Sequence, residues 1–197
     1  MTCIVGLEHR GVVYIGADSH EEAEGVRTIL ATPKIYTISD STKKAEAVFG
    51  IAGYAIVANI LQYEFTLPTP LESESDVAFA HRTMRAITAL LLKEIPYKPD
   101  ARDAAILMGY RGAVYVGSGS GDTGLSVTHG LRGYAAVGSG ASYAKAYLWS
   151  TKASRMKPLT RIENALKAAT EFDSGVSPPY VVIKHPKAKG VKEVNTL

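Results

Sequence analysis

Met1-Thr2-Cys3-Ile4-Val5-Gly6-Leu7-Glu8, and after a short break Val12-Val13-Tyr14-Ile15-Gly16-Ala17-Asp18-Ser19, is the stretch whose reading decides the fold. Thr2 stands directly behind Met1, at the head of an apolar, β-branched run with the character of a strand. His9-Arg10-Gly11 joins it to a second apolar run, so the pair reads as a hairpin. If Met1 is removed, Thr2 carries a free α-amine and a hydroxyl on adjacent carbons, a base and a nucleophile in one residue. An α-amine titrates at roughly 7.7–8.0, so a useful fraction is unprotonated near neutrality. Any chain can begin Met-Thr, so the weight falls on the rest of the sequence.

The second run ends abruptly in a charge, Asp18-Ser19, at the end of a buried strand. Residues 20–33 are polar, contain Gly25 and Pro33, and read as a loop. Lys34-Ile35-Tyr36-Thr37-Ile38 alternates as a short strand, and Ala47 to Gly53 is another, buried and ending in glycine. Two helices follow, Tyr54 to Phe65 and a stripe of Val77, Ala80, Met84, Ile87, Leu90 and Leu91 behind N-cap types at Ser73 to Asp76. Ala104–Met108 and Ala113–Val116 flank a turn at Gly109 to Gly112. Gly117 to Gly124 suggests a phosphate cradle, but it lacks the Lys-Ser/Thr ending and a following helix, so it reads as a mobile loop. Tyr134 to Val137 leads into Gly138-Ser139-Gly140; helices are expected over 141–150 and 161–172, and a last strand over Tyr180–Ile183. Strands, a helix pair, strands, a helix pair and a strand define an α+β protein. The expected architecture is a four-layer αββα sandwich, each helix pair covering one sheet, in a single domain over residues 1–197.

With 197 residues, 46% hydrophobic and 21% charged, the chain is long enough for one substantial core and ordinary in composition. A formal net charge of +3 is too small to argue for nucleic acid, and the late cluster Lys184, Lys187, Lys189 and Lys192 reads as a solvated strand exit. One cysteine excludes an internal disulfide and Cys-rich metal sites. No run approaches the ~18 apolar residues of a membrane span, and Glu8 and Arg10 interrupt any signal-peptide core. A cytoplasmic protein with no cofactor and no metal is expected: the five histidines are dispersed and show no H-x-x-x-H spacing.

Three residues line up from this reading: Thr2 begins the first strand, Asp18 ends the second, and Lys34 begins the third. An acid and a base at strand ends could meet in one cleft beside the N-terminus. Here the chain resembles the proteasome β-subunit family and its bacterial relatives HslV and Anbu, all N-terminal-nucleophile (Ntn) hydrolases. The resembling pieces are Thr2 to Gly6, Gly16-Ala17-Asp18-Ser19, Pro33-Lys34-Ile35, Ile51-Ala52-Gly53 and Val137-Gly138-Ser139-Gly140, in the family's order and near its spacing. It resembles in particular a group of small bacterial and phage proteins that start Met-Thr-Cys-Ile-Val-Gly and carry a late Gly-Val-x-Pro-Pro segment, here Gly175 to Pro179.

The resemblance implies a threonine-type hydrolase of amide or peptide bonds. Thr2 matches the nucleophile, Asp18 the acid that holds the active-site lysine, and Lys34 that lysine. Gly53 matches the glycine whose N–H helps form the oxyanion hole, and Ser139 the serine that hydrogen-bonds around the α-amine. Asp173 matches a second acid, in a register that Ser174, Gly175 and Ser177 leave ambiguous. The resemblance also implies an HslV-like maturation by loss of Met1 without a long propeptide, and a ring-like homo-oligomer. An ATPase partner enters by analogy only. His20 departs from the Arg that many members carry after the Asp-Ser pair. Each residue has a plainer reading: Asp18 as a turn residue, Lys34 as a solvated strand start, Gly53 as a helix N-cap, Ser139 as a loop member. Two other functions stay open, a non-catalytic assembly protein of the same fold and an amidase using Cys3 as its exposed nucleophile.

Overall fold

Alternation at the start of the chain assigns two faces. Cys3, Val5 and Leu7 fall in one buried cluster with helix residues, whereas Ile4 falls in another between sheets. A one-residue slip of the strand would exchange the two sets, and each buried Val or Ile contributes roughly 1.5–3 kcal/mol over exposure, so the register is strongly specified. A computed structural model describes every residue except 24–25, 44, 120–123, 131, 187–192 and 197. Its strands are β1 (Ile4–His9), β2 (Val12–Asp18), β3 (His20–Ala23), β4 (Val26–Ile29), β5 (Ile35–Ser39), β6 (Glu46–Gly53), β7 (Ala104–Tyr110), β8 (Ala113–Gly119), β9 (Ser126–His129), β10 (Tyr134–Val137), β11 (Tyr180–Pro186) and β12 (Glu193–Thr196). The helices are α1 (Ala55–Tyr63), α2 (Asp76–Glu94), α3 (Ala141–Ser150) and α4 (Pro158–Phe172), with a short 3-10 turn at Pro99–Arg102.

Two antiparallel five-stranded sheets stack face to face, in the orders β10-β1-β2-β11-β12 and β5-β6-β7-β8-β9. Val13, Ile15 and Ala17 of the first sheet meet Val48, Leu107 and Val114 of the second. On the outer face of the second sheet, α1 and α2 bury Val57, Ile60, Leu61, Phe79, Met84 and Ile87. On the outer face of the first, α3 and α4 bury Ala144, Leu148, Ile162, Ala165 and Leu166. The result is the αββα sandwich expected from the element order. Ser75 caps α2, its Oγ accepting from the N–H of Ala78 at 3.2 Å.

The structure departs from the sequence reading in four places. Residues 20–29 are not a plain loop: β3 pairs with β4 in a separate ribbon, with Glu21 opposite Thr28 and His20 opposite Ile29. The ribbon exposes Val26 and Ile29, so pairing there is carried by backbone bonds without the apolar alternation that announces a strand. The glycine-rich run is partly strand, because β8 continues to Gly119 and β9 follows; 120–123 lie outside the described residues. The helix expected from 161 starts at Pro158, a residue suited to the first helical position because its missing N–H has no intrahelical partner to lose. The lysine-rich end contains an edge strand, β12, paired to β11, while Lys187, Lys189 and Lys192 lie outside the described residues.

Candidate active site

The hairpin β1–β2 brings Asp18 beside the N-terminus. Ile4 faces Ala17 across the ladder, so the next residues on each strand, Cys3 and Asp18, are neighbours. Asp18 is fully buried and its carboxylate is held by the backbone: Oδ1 accepts from Cys3 N–H at 2.9 Å and Oδ2 from His20 N–H at 3.0 Å. Its third partner comes from the other sheet. Lys34, just ahead of β5, donates through Nζ to both carboxylate oxygens at 3.1 and 3.0 Å. The same ammonium donates to Thr2 Oγ1 at 3.0 Å. Only 9% of the Lys34 side chain is exposed, and the ion pair survives this burial because backbone N–H groups satisfy the carboxylate as well.

Ser139 arrives through the opposite neighbour of β1. Val137 pairs with Ile4, so the turn after β10 passes over Thr2. Ser139 Oγ accepts from Thr2 N–H at 3.2 Å and donates to Thr2 C=O at 3.3 Å. Gly138, at φ +93°, lets this turn close: a Cβ there would collide with the Thr2 carbonyl oxygen. Gly53 ends β6 and lines the same cleft as Thr2 and Lys34. Its φ is +155°, and a Cβ would lie 2.6 Å from Asp103 C=O, so a side chain is excluded on both conformational and steric grounds.

Thr2, Asp18, Lys34 and Ser139 thus form one connected set, and Gly53 borders the cleft beside them. Asp173 stays apart. It caps the end of α4, and its Oδ1 accepts from Gly175 N–H at 2.9 Å; among the described residues, no hydrogen bond or ion pair links it to Thr2, Lys34 or Ser139. With Met1 present the nitrogen of Thr2 is an amide. Thr2 Oγ1 donates to Met1 C=O at 2.6 Å, Lys34 Nζ reaches the same oxygen at 3.4 Å, and the Met1 side chain lies against Gly175.

Cys3 points away from the cleft, into the cluster under α3 and α4. Burial, reinforced by the Asp18 and Asp173 carboxylates, pushes its thiol up to about 12, the opposite of an activated nucleophile. Among the described residues, no group of three or more His, Cys, Asp or Glu side chains is placed to hold a metal, and no helix is long and apolar enough to cross a membrane.

The cleft beside Thr2 has a volume of about 490 Å³. Its walls include Pro33 just ahead of β5 and Tyr36 of β5, Ala55, Ala58 and Asn59 of α1, and His20 and Glu21 of β3. Tyr36 donates its hydroxyl to Ala58 C=O at 3.0 Å, and burial raises the phenol's pKa. His20 is buried, and among the described residues neither ring nitrogen has a hydrogen-bond partner. Sequence reasoning marks His20 only as a departure and misses Glu21, because both lie in the segment that reads as a loop.

This fold is that of the proteasome-type Ntn proteins, the class that contains HslV and Anbu. In particular, Thiobacillus denitrificans BPH, solved in complex with epoxomicin, superposes with a TM-score of 0.75 at 19% identity, covering 95% of this chain and 100% of that one. HslV from Trypanosoma brucei gives 0.65 at 19% identity, over 93% and 99% of the two chains. Anbu from Pseudomonas aeruginosa, solved as a helical assembly, gives 0.71 at 13% identity, over 99% and 86%. Neither a scan against protein-family models nor a search of curated protein sequences returns a match.

Proposed function

We propose that this chain is a threonine-type Ntn hydrolase that cleaves amide or peptide bonds once Met1 has been removed. The observation that carries the reading is the Lys34 ammonium, bonded at once to the Thr2 hydroxyl and to the buried Asp18 carboxylate. Loss of Met1 turns the Thr2 amide into a free α-amine next to Ser139 Oγ. The nearby ammonium disfavours protonation of that amine, leaving it free to act as base. Thr2 Oγ attacks the substrate carbonyl carbon, and its proton passes to the α-amine, directly or through a water held by Ser139. Gly53 N–H meets the developing oxyanion. The amine then gives the proton to the leaving nitrogen as the C–N bond breaks, leaving an ester on Thr2. Water, deprotonated by the same amine, hydrolyses the ester and restores the residue.

Cys3 does not fit this role, being sealed beneath the helices with a thiol that resists ionisation. We also propose a homo-oligomer well above dimer size, ring-like as the resemblance implies. Ile56, Tyr63, Val77 and Leu92 expose apolar surface on the helix pair that covers the second sheet, and the Pseudomonas Anbu relative is an assembly. Light scattering at micromolar concentration that gives a monomer mass would contradict this.

Intact-mass analysis of untagged protein, followed by treatment with epoxomicin, tests the catalytic reading. The expected result is a mass lacking Met1 and an adduct that maps to Thr2 and vanishes in Thr2→Ala. Processed protein that neither labels nor hydrolyses any of a broad set of peptides overturns the catalytic reading and leaves the non-catalytic assembly protein.

A further inference from the structure

We propose that the cleft beside Thr2 selects a substrate with a cationic side chain, Lys or Arg, adjoining the scissile carbonyl, and that Glu21 is the residue that selects it. The proposal rests on the hydrolase reading for which bond is cut, but its charge argument is separate. Among the described residues lining the cleft, Glu21 is the one carboxylate and Lys34 the one Lys or Arg. The Lys34 charge is already committed to Asp18, whereas the Glu21 side chain, half-buried on β3, makes no hydrogen bond or ion pair with the described residues. The cleft therefore offers an incoming side chain one negative charge that no described residue pairs. A concave site with low-dielectric walls focuses such a charge, attracting a cation and repelling an anion.

The remaining walls suit the same ligand. Ile51, Ala55 and Ala58 offer an apolar path for the methylene stem of Lys or Arg, which buries its stem while its head seeks a polar partner. Tyr54 and Tyr63 stand more than half exposed at the cleft, and a ring face is a favourable place for an ammonium or guanidinium. Asn59 and Gln62 supply carboxamide oxygens as further acceptors. An acidic substrate side chain would find no free Lys or Arg among the described residues of the cleft.

The experiment uses full-length, processed protein and three fluorogenic peptide amides that differ only in the residue supplying the scissile carbonyl: Arg, Leu or Glu. Wild type should favour Arg over Glu by about tenfold or more in kcat/KM, the range expected of a hydrogen bond to a charged group. Glu21→Gln, close to isosteric, should shrink the Arg-to-Leu ratio toward one, and Glu21→Lys should invert the Arg-to-Glu ratio. Matched thermal melts check that both variants fold. The same peptides are also titrated onto Thr2→Ala by fluorescence anisotropy, where binding is read without hydrolysis; Arg should bind tightest, and Glu21→Gln in that background should remove the difference. Hydrolysis of all three peptides at equal rates overturns the charge selection and leaves the hydrolase reading standing. Absence of hydrolysis and labelling, with Glu21-dependent binding of the Arg peptide retained, removes the hydrolase reading and keeps the selection. Equal or absent binding of the Arg and Glu peptides to Thr2→Ala overturns the selection.

Discussion

The base of the cleft and its wall are built in opposite ways. At the base, Asp18 is sealed from water and receives two backbone N–H groups and an ammonium, and Lys34 ties strands of both sheets to Thr2. Along the wall, the β3–β4 ribbon forms a two-stranded sheet of its own, bonded to the base through His20 N–H; it exposes Val26 and Ile29 and carries the Glu21 carboxylate with no partner among the described residues. Charges in the base are compensated, so their geometry is over-determined and they hold the Thr2 hydroxyl in one position. The wall has few partners to lose, so it can vary in sequence and charge without disturbing the fold. On the readings proposed above, the buried strand ends would place the chemistry and the edge ribbon the selectivity.

The comparison makes Asp18 the most sensitive residue. Asp18→Ala leaves the Lys34 ammonium buried and two N–H groups unsatisfied, and should lower unfolding free energy by about 3–5 kcal/mol. Denaturant titration that finds wild-type stability would show that the base is not locked by its charges.

Lys34→Ala comes next, with hydrolysis and epoxomicin labelling falling together by at least ~100-fold, the scale of losing a positioned acid–base group. Lys34→Arg should rescue neither, since a guanidinium fork cannot reproduce the point charge shared by Asp18 and Thr2. Thr2→Ser keeps hydroxyl and amine and should retain part of the activity. Normal labelling of Lys34→Ala would sink the assigned mechanism even with the fold intact.

Cys3 reports through pH on the dryness of the core behind the base, under α3 and α4. Its thiol is held up to about 12 when folded, against an ordinary value of 9.0. The unfolded chain therefore loses this proton first. The stabilisation is complete below pH 9 and is lost as pH rises from there toward 12, by about 1.4 kcal/mol per pH unit. Stability of wild type and Cys3→Ala measured at about pH 8 and pH 10 isolates the contribution; parallel pH slopes would mean that water reaches the thiol.

Ser139→Ala removes one hydroxyl at the boundary between the regions. It should slow turnover about five- to tenfold, the worth of one neutral hydrogen bond, while stability shifts within about 0.5 kcal/mol. Equal thermal destabilisation with unchanged turnover would make Ser139 a structural turn residue. Smallest of all, Val26→Ser on the exposed ribbon should change stability by less than about 0.5 kcal/mol. A larger drop in dilute, dissociated protein would mean that the wall is as locked as the base.

Local pattern is enough to read much of this protein from its residues. The alternation of Cys3 to Leu7 and Val13 to Ala17, the N-cap before α2 and the order of strands and helix pairs specify the αββα layers, because each depends on neighbours a few residues apart. Thr2, Asp18, Lys34 and Ser139 are legible as candidates for a related reason: each is a polar residue at the end of an apolar run. What the residues do not state is which strand ends meet. Lys34 reaches Asp18 only because two sheets stack face to face, Ser139 reaches Thr2 only because β10 pairs with β1, and Asp173 closes the end of α4 with Gly175 as its partner. The ribbon at β3 and β4 escapes a sequence reading because its pairing exposes Val26 and Ile29 and so shows no apolar alternation. Long-range pairing is decided by what else the sheets must bury, a sum over the whole core that no local stretch contains, and only the tertiary structure puts Glu21 and Thr2 in one cleft.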